Sequence, residues 1–207
     1  MNYYKYRKKK KNPLERLKNL SIVVWLIVIN AIASIIGFII FATSENYINY
    51  IALKPENILQ GQYLWTLLTH MFIHGGIGHL IINMFVLFSL GGLIERIIGR
   101  KRFFWFYIFS GLFAGFLSAL LAGLLGDSSI GARIVGSPEI FMVGASGAIF
   151  AIAGLYVLLL PRIKFMIIFL PFFSMPAYLM VPIVLVVMWG LSIIGNWPIG
   201  NIAHLGG

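Results

Sequence analysis

Residues 143–149 read VGASGAI, placing Ser146 among glycines and alanines near the start of a long apolar run. A hydroxyl in such a run ordinarily bonds back to its own helix or helps it pack. It becomes a nucleophile when an imidazole lies close enough to take its proton as the oxygen attacks a carbonyl. The chain offers His70, His74, His79 and His204. His204 stands in "NIAHLGG", and His79 precedes Asn83 by four residues in "HLIIN". A Ser146–His204 pair would supply nucleophile and base. His79 and Asn83 could donate hydrogen bonds to the oxyanion that forms. The chain has no cysteine, which excludes thiol catalysis, disulfides and cysteine-held metals. His70 and His74 are spaced i, i+4 and could bind a metal with His79. No Asp, Glu or Cys joins them and H-E-x-x-H is absent, so hydrogen bonds within a loop are expected instead. The Ser–His chemistry needs no metal or organic cofactor.

The elements that would position these residues are membrane spans. The chain of 207 residues is 60% hydrophobic and 11% charged, and several of its apolar runs match the roughly 20 residues that cross a bilayer. Spans are expected at about residues 20–43, 79–98, 103–125, 141–160 and within 165–191, and a sixth begins near Asn201. That last helix reads as cut short at Gly207. Pro171, Pro176 and Pro182 predict kinks or an irregular entry to the fifth span. Residues 63–79, aromatic but broken by histidine and glycine, read as a compact interfacial loop with short helices. Residues 126–140 read as a loop. Residues 1–19 form a basic tail ahead of a membrane domain spanning 20–207. The tail is too long and too basic for a cleaved secretory signal, so an anchor that stays in place is expected.

Charge sets the orientation. Eight basic residues precede the first span, four more (Arg96, Arg100, Lys101, Arg102) flank the end of the second, and Arg162 and Lys164 follow the fourth. With alternating spans all of these share one side, which the positive-inside rule makes cytoplasmic. Only Lys54 and Arg133 fall on the other side, with Glu45, Glu56, Asp127 and Glu139. The formal net charge of +10 is thereby explained by topology and anionic-lipid attraction, without a nucleic-acid partner. The same alternation makes the second, fourth and sixth spans enter from outside. His79, Asn83, Ser146 and His204 then lie in one shallow outer layer, with Ser146 about 7–8 Å below its span's outer end at 1.5 Å per residue. Gly144, Ala145, Gly147 and Ala148 thin the fourth span, and Ala203, Gly206 and Gly207 thin the sixth. Small residues let helix backbones approach closely. The sequence is not the G-x-S-x-G elbow of soluble hydrolases, since position 148 is Ala and no strand precedes it.

"GASG" in span four, "AHLGG" in span six and "HMFIHGGIGHLIINM" entering span two together resemble the rhomboid intramembrane serine proteases of prokaryotic type, from about residue 62 to the end. The resemblance implies an all-α membrane bundle of six core helices with an interfacial first loop and a water-filled cavity opening outward. It implies Ser146 as nucleophile, His204 as general base, and His79 and Asn83 as the oxyanion-stabilising pair, with Gly144 and Gly147 in support. Substrates would be transmembrane segments of other membrane proteins, cleaved near the outer surface of the cell membrane with the N-terminus cytoplasmic. The family's first-loop signature is Trp-Arg; here Trp65 is followed by Thr66, so the loop's anchoring hydrogen bonds are expected to differ. The alternative is a catalytically inactive relative that binds transmembrane helices. A small transporter would want paired midplane charges or inverted repeats, and the chain has neither.

Overall fold

The computed structural model describes residues 20–43, 45–167, 170–195 and 200–207; the basic tail assigned to residues 1–19 lies outside them. Its elements are α1 (Ile22–Thr43), a 3-10 turn (Glu45–Tyr50), α2 (Pro55–Leu59), α3 (Thr66–Thr69), a second 3-10 turn (His70–Phe72), α4 (Ile77–Ile98) and α5 (Arg100–Leu125). They continue with α6 (Ser129–Val135), α7 (Ser146–Leu159), β1 (Lys164–Ile167), β2 (Leu170–Pro176), α8 (Ala177–Gly195) and α9 (Asn201–Gly206). α1, α4, α5 and α8 are long and apolar enough to cross a membrane, and α7 is a shorter apolar helix. Large apolar side chains such as Ile35 and Ile39 on α1 and Phe109 and Phe113 on α5 face outward, as a lipid-facing surface requires. This is an all-α membrane bundle carrying one small strand pair.

α5 is the hub. It packs against α4, α7 and α9 and against the short helices of the first loop. Its inner face is built from Gly111, Ala114, Gly115, Ser118, Ala119 and Ala122, small enough to admit side chains from opposing elements. A Cβ on Gly115 would lie 2.6 Å from His70 Cε1, so that ring occupies the notch the glycine leaves. Met71 and Leu59 fill the corresponding notches at Gly111 and Gly123. The first loop is thereby seated on α5 as a packed layer. Its anchors are local and polar: Trp65 Nε1 donates to the Tyr50 carbonyl at 2.9 Å, Thr66 Oγ1 to Tyr63 O at 2.7 Å and Thr69 Oγ1 to Ile51 O at 3.0 Å. Thr66 is fully buried. Its hydroxyl is satisfied within the loop, where an arginine would need room and a distant acceptor. Tyr50, Tyr63 and Trp65 stack edge to face at 5.2 and 5.5 Å, an aromatic patch suited to the membrane–water boundary.

The fifth span, expected within 165–191 after an irregular entry, runs from Ala177 to Gly195. β1 and β2 pair antiparallel ahead of it, with Lys164 opposite Pro176 and Phe165 opposite Met175, and the helix begins only at Ala177. Proline lacks the N–H that a helix interior needs but is tolerated in edge strands and at strand ends. Pro171 and Pro176 therefore fall in β2, and Pro182 alone remains inside α8. The loop after α5 also contains a helix, Ser129–Val135, whose N-cap Ser128 accepts a hydrogen bond from Gly131 N at 2.9 Å.

At the opposite end of the bundle from the first loop, α1 starts under a carboxylate of α4. Glu95, only 4% exposed, accepts hydrogen bonds from Ile22 N at 2.9 Å and Val23 N at 3.0 Å. Arg100 donates to Leu20 O at 2.7 Å beside it. First-turn N–H groups have no intrahelical acceptor, and negative charge at a helix N-terminus is favourable. Glu95→Ala should therefore lower stability by roughly 1–3 kcal/mol, read as a lower thermal unfolding midpoint in detergent. Glu95→Gln, which keeps one acceptor, should recover part of the loss.

Candidate active site

The segment before α7 is extended. Leu53 and Met142 exchange backbone hydrogen bonds of 3.1 and 2.7 Å, and Gly144 N donates to the His70 carbonyl at 2.9 Å. Gly144 has φ +128°, a conformation closed to L-residues without strain. The chain turns there and the helix starts at Ser146. This corrects the expectation of a span over 141–160 with Ser146 some 7–8 Å inside it. Ser146 is instead the first residue of α7, where the first-turn N–H groups have no intrahelical acceptor.

α9 brings the imidazole. His204 is buried and its Nε2 lies 2.8 Å from Ser146 Oγ. A Cβ on Gly147 would approach Ala114 Cβ to 2.7 Å and Ala203 O to 3.2 Å, and one on Gly207 would overlap the Gly147 carbonyl. α5, α7 and α9 thus meet backbone to backbone beside the serine. Phe150, one turn after Ser146 on α7, lays its ring against His204 with centroids 4.7 Å apart at 31°. Sequence reasoning passed over Phe150, although its i+4 spacing from Ser146 marks the same helix face.

His79 approaches from α4. A Cβ on Gly144 would sit 2.8 Å from His79 Cε1, 3.0 Å from its Nε2 and 3.8 Å from Ser146 Oγ. The glycine therefore keeps open a space bounded by the hydroxyl and the ring. Asn83 lines the same cavity, and its amide donates to His79 O at 3.1 Å. The cavity, about 1200 Å³, is lined by residues of α4, α5, α7, α8 and α9, with Phe85, Val86, Val181 and Val184 among its apolar walls on α4 and α8.

His70 and His74 are structural here. His70 Nδ1 donates to Thr66 O at 2.8 Å. Ser34 Oγ donates to Phe72 O at 3.1 Å and faces His74 Nδ1 at 2.9 Å, so the imidazole is the donor to the hydroxyl. The His74 ring meets His79 edge to face at 5.0 Å. Among the described residues no three of His, Cys, Asp and Glu gather as a metal site requires.

A multi-pass helical bundle that opens a cavity onto a hydrogen-bonded serine and histidine is the class these features define. The Rhomboid domain model matches residues 61–207, and the chain belongs to the rhomboid family. RHOMBOID-like protein 4 of Arabidopsis thaliana is 31% identical over 156 residues, 75% of this chain and 34% of its own length. Rhomboid protease GluP of Bacillus subtilis (strain 168) is 37% identical over 125 residues, 59% of this chain and 21% of its own. The mitochondrial presenilin-associated rhomboid-like protein of Homo sapiens is 28% identical over 141 residues, 68% of this chain and 34% of its own. The chain spans about a fifth to a third of the length of these curated relatives.

Burial lowers the pKa of His70 to about 4; burial first, and the nearby His79 second, lower that of His74 to about 3. An unfolded histidine takes up a proton below about 6.5, whereas these two stay neutral in the fold until lower pH. Their contribution is therefore intact above pH 6.5 and is lost as pH falls from about 6.5 to about 4 for His70 and about 3 for His74, at a cost on the order of a few kcal/mol. The unfolding midpoint in detergent should drop across that window, and His70→Gln should flatten the drop.

Proposed function

We propose that this chain is an intramembrane serine endopeptidase that cleaves transmembrane segments of other membrane proteins near the outer membrane face. The observation that carries the reading is the 2.8 Å contact between Ser146 Oγ and His204 Nε2 at the floor of the cavity. In this reading Ser146 Oγ attacks the scissile carbonyl carbon as His204 Nε2 takes the hydroxyl proton. The resulting oxyanion sits in the space kept open by Gly144, where His79, the Asn83 amide and N–H groups at the start of α7 can donate to it. Collapse breaks the C–N bond, and His204 gives its proton to the leaving amine. Water then attacks the acyl ester, passing a proton to the same nitrogen, and releases the acid and free Ser146. No carboxylate is required, in keeping with a base buried against Phe150 and small residues. No metal or cofactor enters this scheme.

The apolar walls on α4 and α8 suit a helix arriving from the bilayer. Residues 20–207 form the membrane domain in this reading, with residues 1–19 as a cytoplasmic basic tail and the site facing outward from the cell membrane. A non-catalytic helix-binding protein would place no demand on the serine–histidine contact.

Ser146→Ala and His204→Gln should each reduce cleavage of a reconstituted single-span substrate by roughly 10⁴-fold or more. They should also abolish labelling by a serine-reactive phosphonate. Gly144→Ala, which fills the oxyanion space, should lower turnover on the order of 10²-fold. Because a protonated imidazole cannot accept the serine proton, the rate should fall on the acid side. Undiminished cleavage by Ser146→Ala would exclude the mechanism. Absence of both labelling and cleavage in the full-length wild type would favour the binding role.

A further inference from the structure

Two adjacent glycines of α4 are used differently. A Cβ on Gly91 would lie 2.7 Å from Val23 Cγ2 and 3.2 Å from Phe103 Cζ, so that glycine is consumed by packing against α1 and α5. A Cβ on Gly92 would meet nothing within 4 Å. Gly92 lies instead in a groove of about 580 Å³ where the start of α1 meets the end of α4. Val23, Phe88 and Leu93 give the groove an apolar side, and Ser21, Arg96 and Arg100 give it a polar one. Phe88 and Leu93 are exposed rather than covered by another element. Arg96 lies on the same helix as His79, about 25 Å further along it at 1.5 Å per residue. The groove is therefore far from the Ser146–His204 contact, at the other membrane boundary.

Glu95 also borders the groove, but its carboxylate is engaged elsewhere. It accepts from Ile22 N and Val23 N and is only 4% exposed. What the groove presents is cationic. Arg100 is fixed at the rim by its bond to Leu20 O, with its Nε 3.9 Å from Glu95 Oε1. Arg96 is exposed. The ion pairs among the described residues are Lys54–Glu56 and Arg100–Glu95, so Arg96 has no carboxylate partner among them. Lys101 and Arg102 follow in the first turn of α5, which contains no acidic residue. Like charges gathered in one turn repel, and an anion among them relieves the repulsion.

We infer that this groove is a binding site for one anionic phospholipid. An acyl chain lies along Phe88, Gly92 and Leu93, and the phosphate sits at the rim made by Arg96 and Arg100. The groove's two characters select that occupant. Hydrocarbon is drawn to the apolar side, and the guanidinium groups suit a phosphate. A free phosphate would leave the apolar side unfilled. An apolar helix would cover Arg96 without supplying a counter-charge. The segment before α1 is itself basic, with eight Lys and Arg between residues 5 and 18, so it strengthens attraction to an anionic leaflet rather than competing for the arginines. Basic pockets between transmembrane helices take acidic headgroups on the same principle. A lipid held here touches α1, α4 and the start of α5 at once, and so stabilises their junction. In the orientation proposed above it comes from the cytoplasmic leaflet. The site itself does not depend on the protease reading.

The test uses the full chain in a nonionic detergent, titrated with phosphatidylglycerol, with phosphatidylcholine of identical acyl chains, or with inorganic phosphate. Bound lipid is counted by native mass spectrometry, and the unfolding midpoint is followed in parallel. Phosphatidylglycerol should be retained more tightly than phosphatidylcholine and should raise the midpoint. Inorganic phosphate should leave the midpoint unchanged. Arg96→Gln should weaken phosphatidylglycerol binding about five-fold, the effect of one cation at an anionic headgroup. Gly92→Leu keeps every charge, places a better helix former in open space, and should weaken binding at least as much by filling the groove. Arg133→Gln makes the same charge change beside the cavity of the dyad and should leave affinity within about two-fold of wild type, since a charge that distant is screened. Equal retention of the two lipids overturns the site. So does a Gly92→Leu variant that binds phosphatidylglycerol as wild type does, or an Arg133→Gln variant weakened as much as Arg96→Gln. A midpoint raised equally by inorganic phosphate assigns the rim to a free anion and also overturns it.

Discussion

A serine hydroxyl reaches only one bond beyond its Cβ, so a partner must be brought to it. Here that demand is met by backbone contact. α7 and α9 touch at Gly147, Ala203 and Gly207, and α5 closes the third side with Ala114. Any larger side chain at these points would separate the helices, and the 2.8 Å contact between Ser146 and His204 would be lost. The small-residue face of α5 is the same device used on the other side. It seats His70 against Gly115, and the His70 carbonyl then receives Gly144 N. Close packing of one helix thus determines where the next begins.

That dependence explains why the first loop is built so firmly. It supplies the carbonyl that stops the extended segment, the backbone that pairs with Met142, and the imidazole of His74 that stands beside His79. In an apolar bundle each buried polar group needs a partner. Ser34 bonds both Phe72 O and His74, and Tyr156 donates to Leu90 O at 2.9 Å across two helices. These bonds tie the loop to α1 and α7 to α4.

The spans were legible because hydropathy acts over many residues at once, and the charge asymmetry ordered them. Together they place His79, Ser146 and His204 in one layer at one end of the molecule. What hydropathy could not register was a single torsion. Residues 141–145 are as apolar as a helix would be, and only the positive φ of Gly144 separates them from α7. The strand pair of 164–167 with 170–176 was hidden in the same way, although its prolines pointed to irregularity. Helix α6 had a readable signal in the Ser128 cap that its mixed composition obscured.

The carboxylate of Glu95 has a consequence for how the chain is made. The first-turn N–H groups of α1 find their acceptor 72 and 73 residues later in the chain. While the ribosome is still producing the first loop, α1 has no such cap and its N-terminal end is served by water or lipid headgroups. Only when the far end of α4 has emerged can the two helices lock. The first assembly step open to this bundle is therefore the pairing of α1 with α4. Membrane integration and tertiary folding are separated in time by the length of the intervening loop.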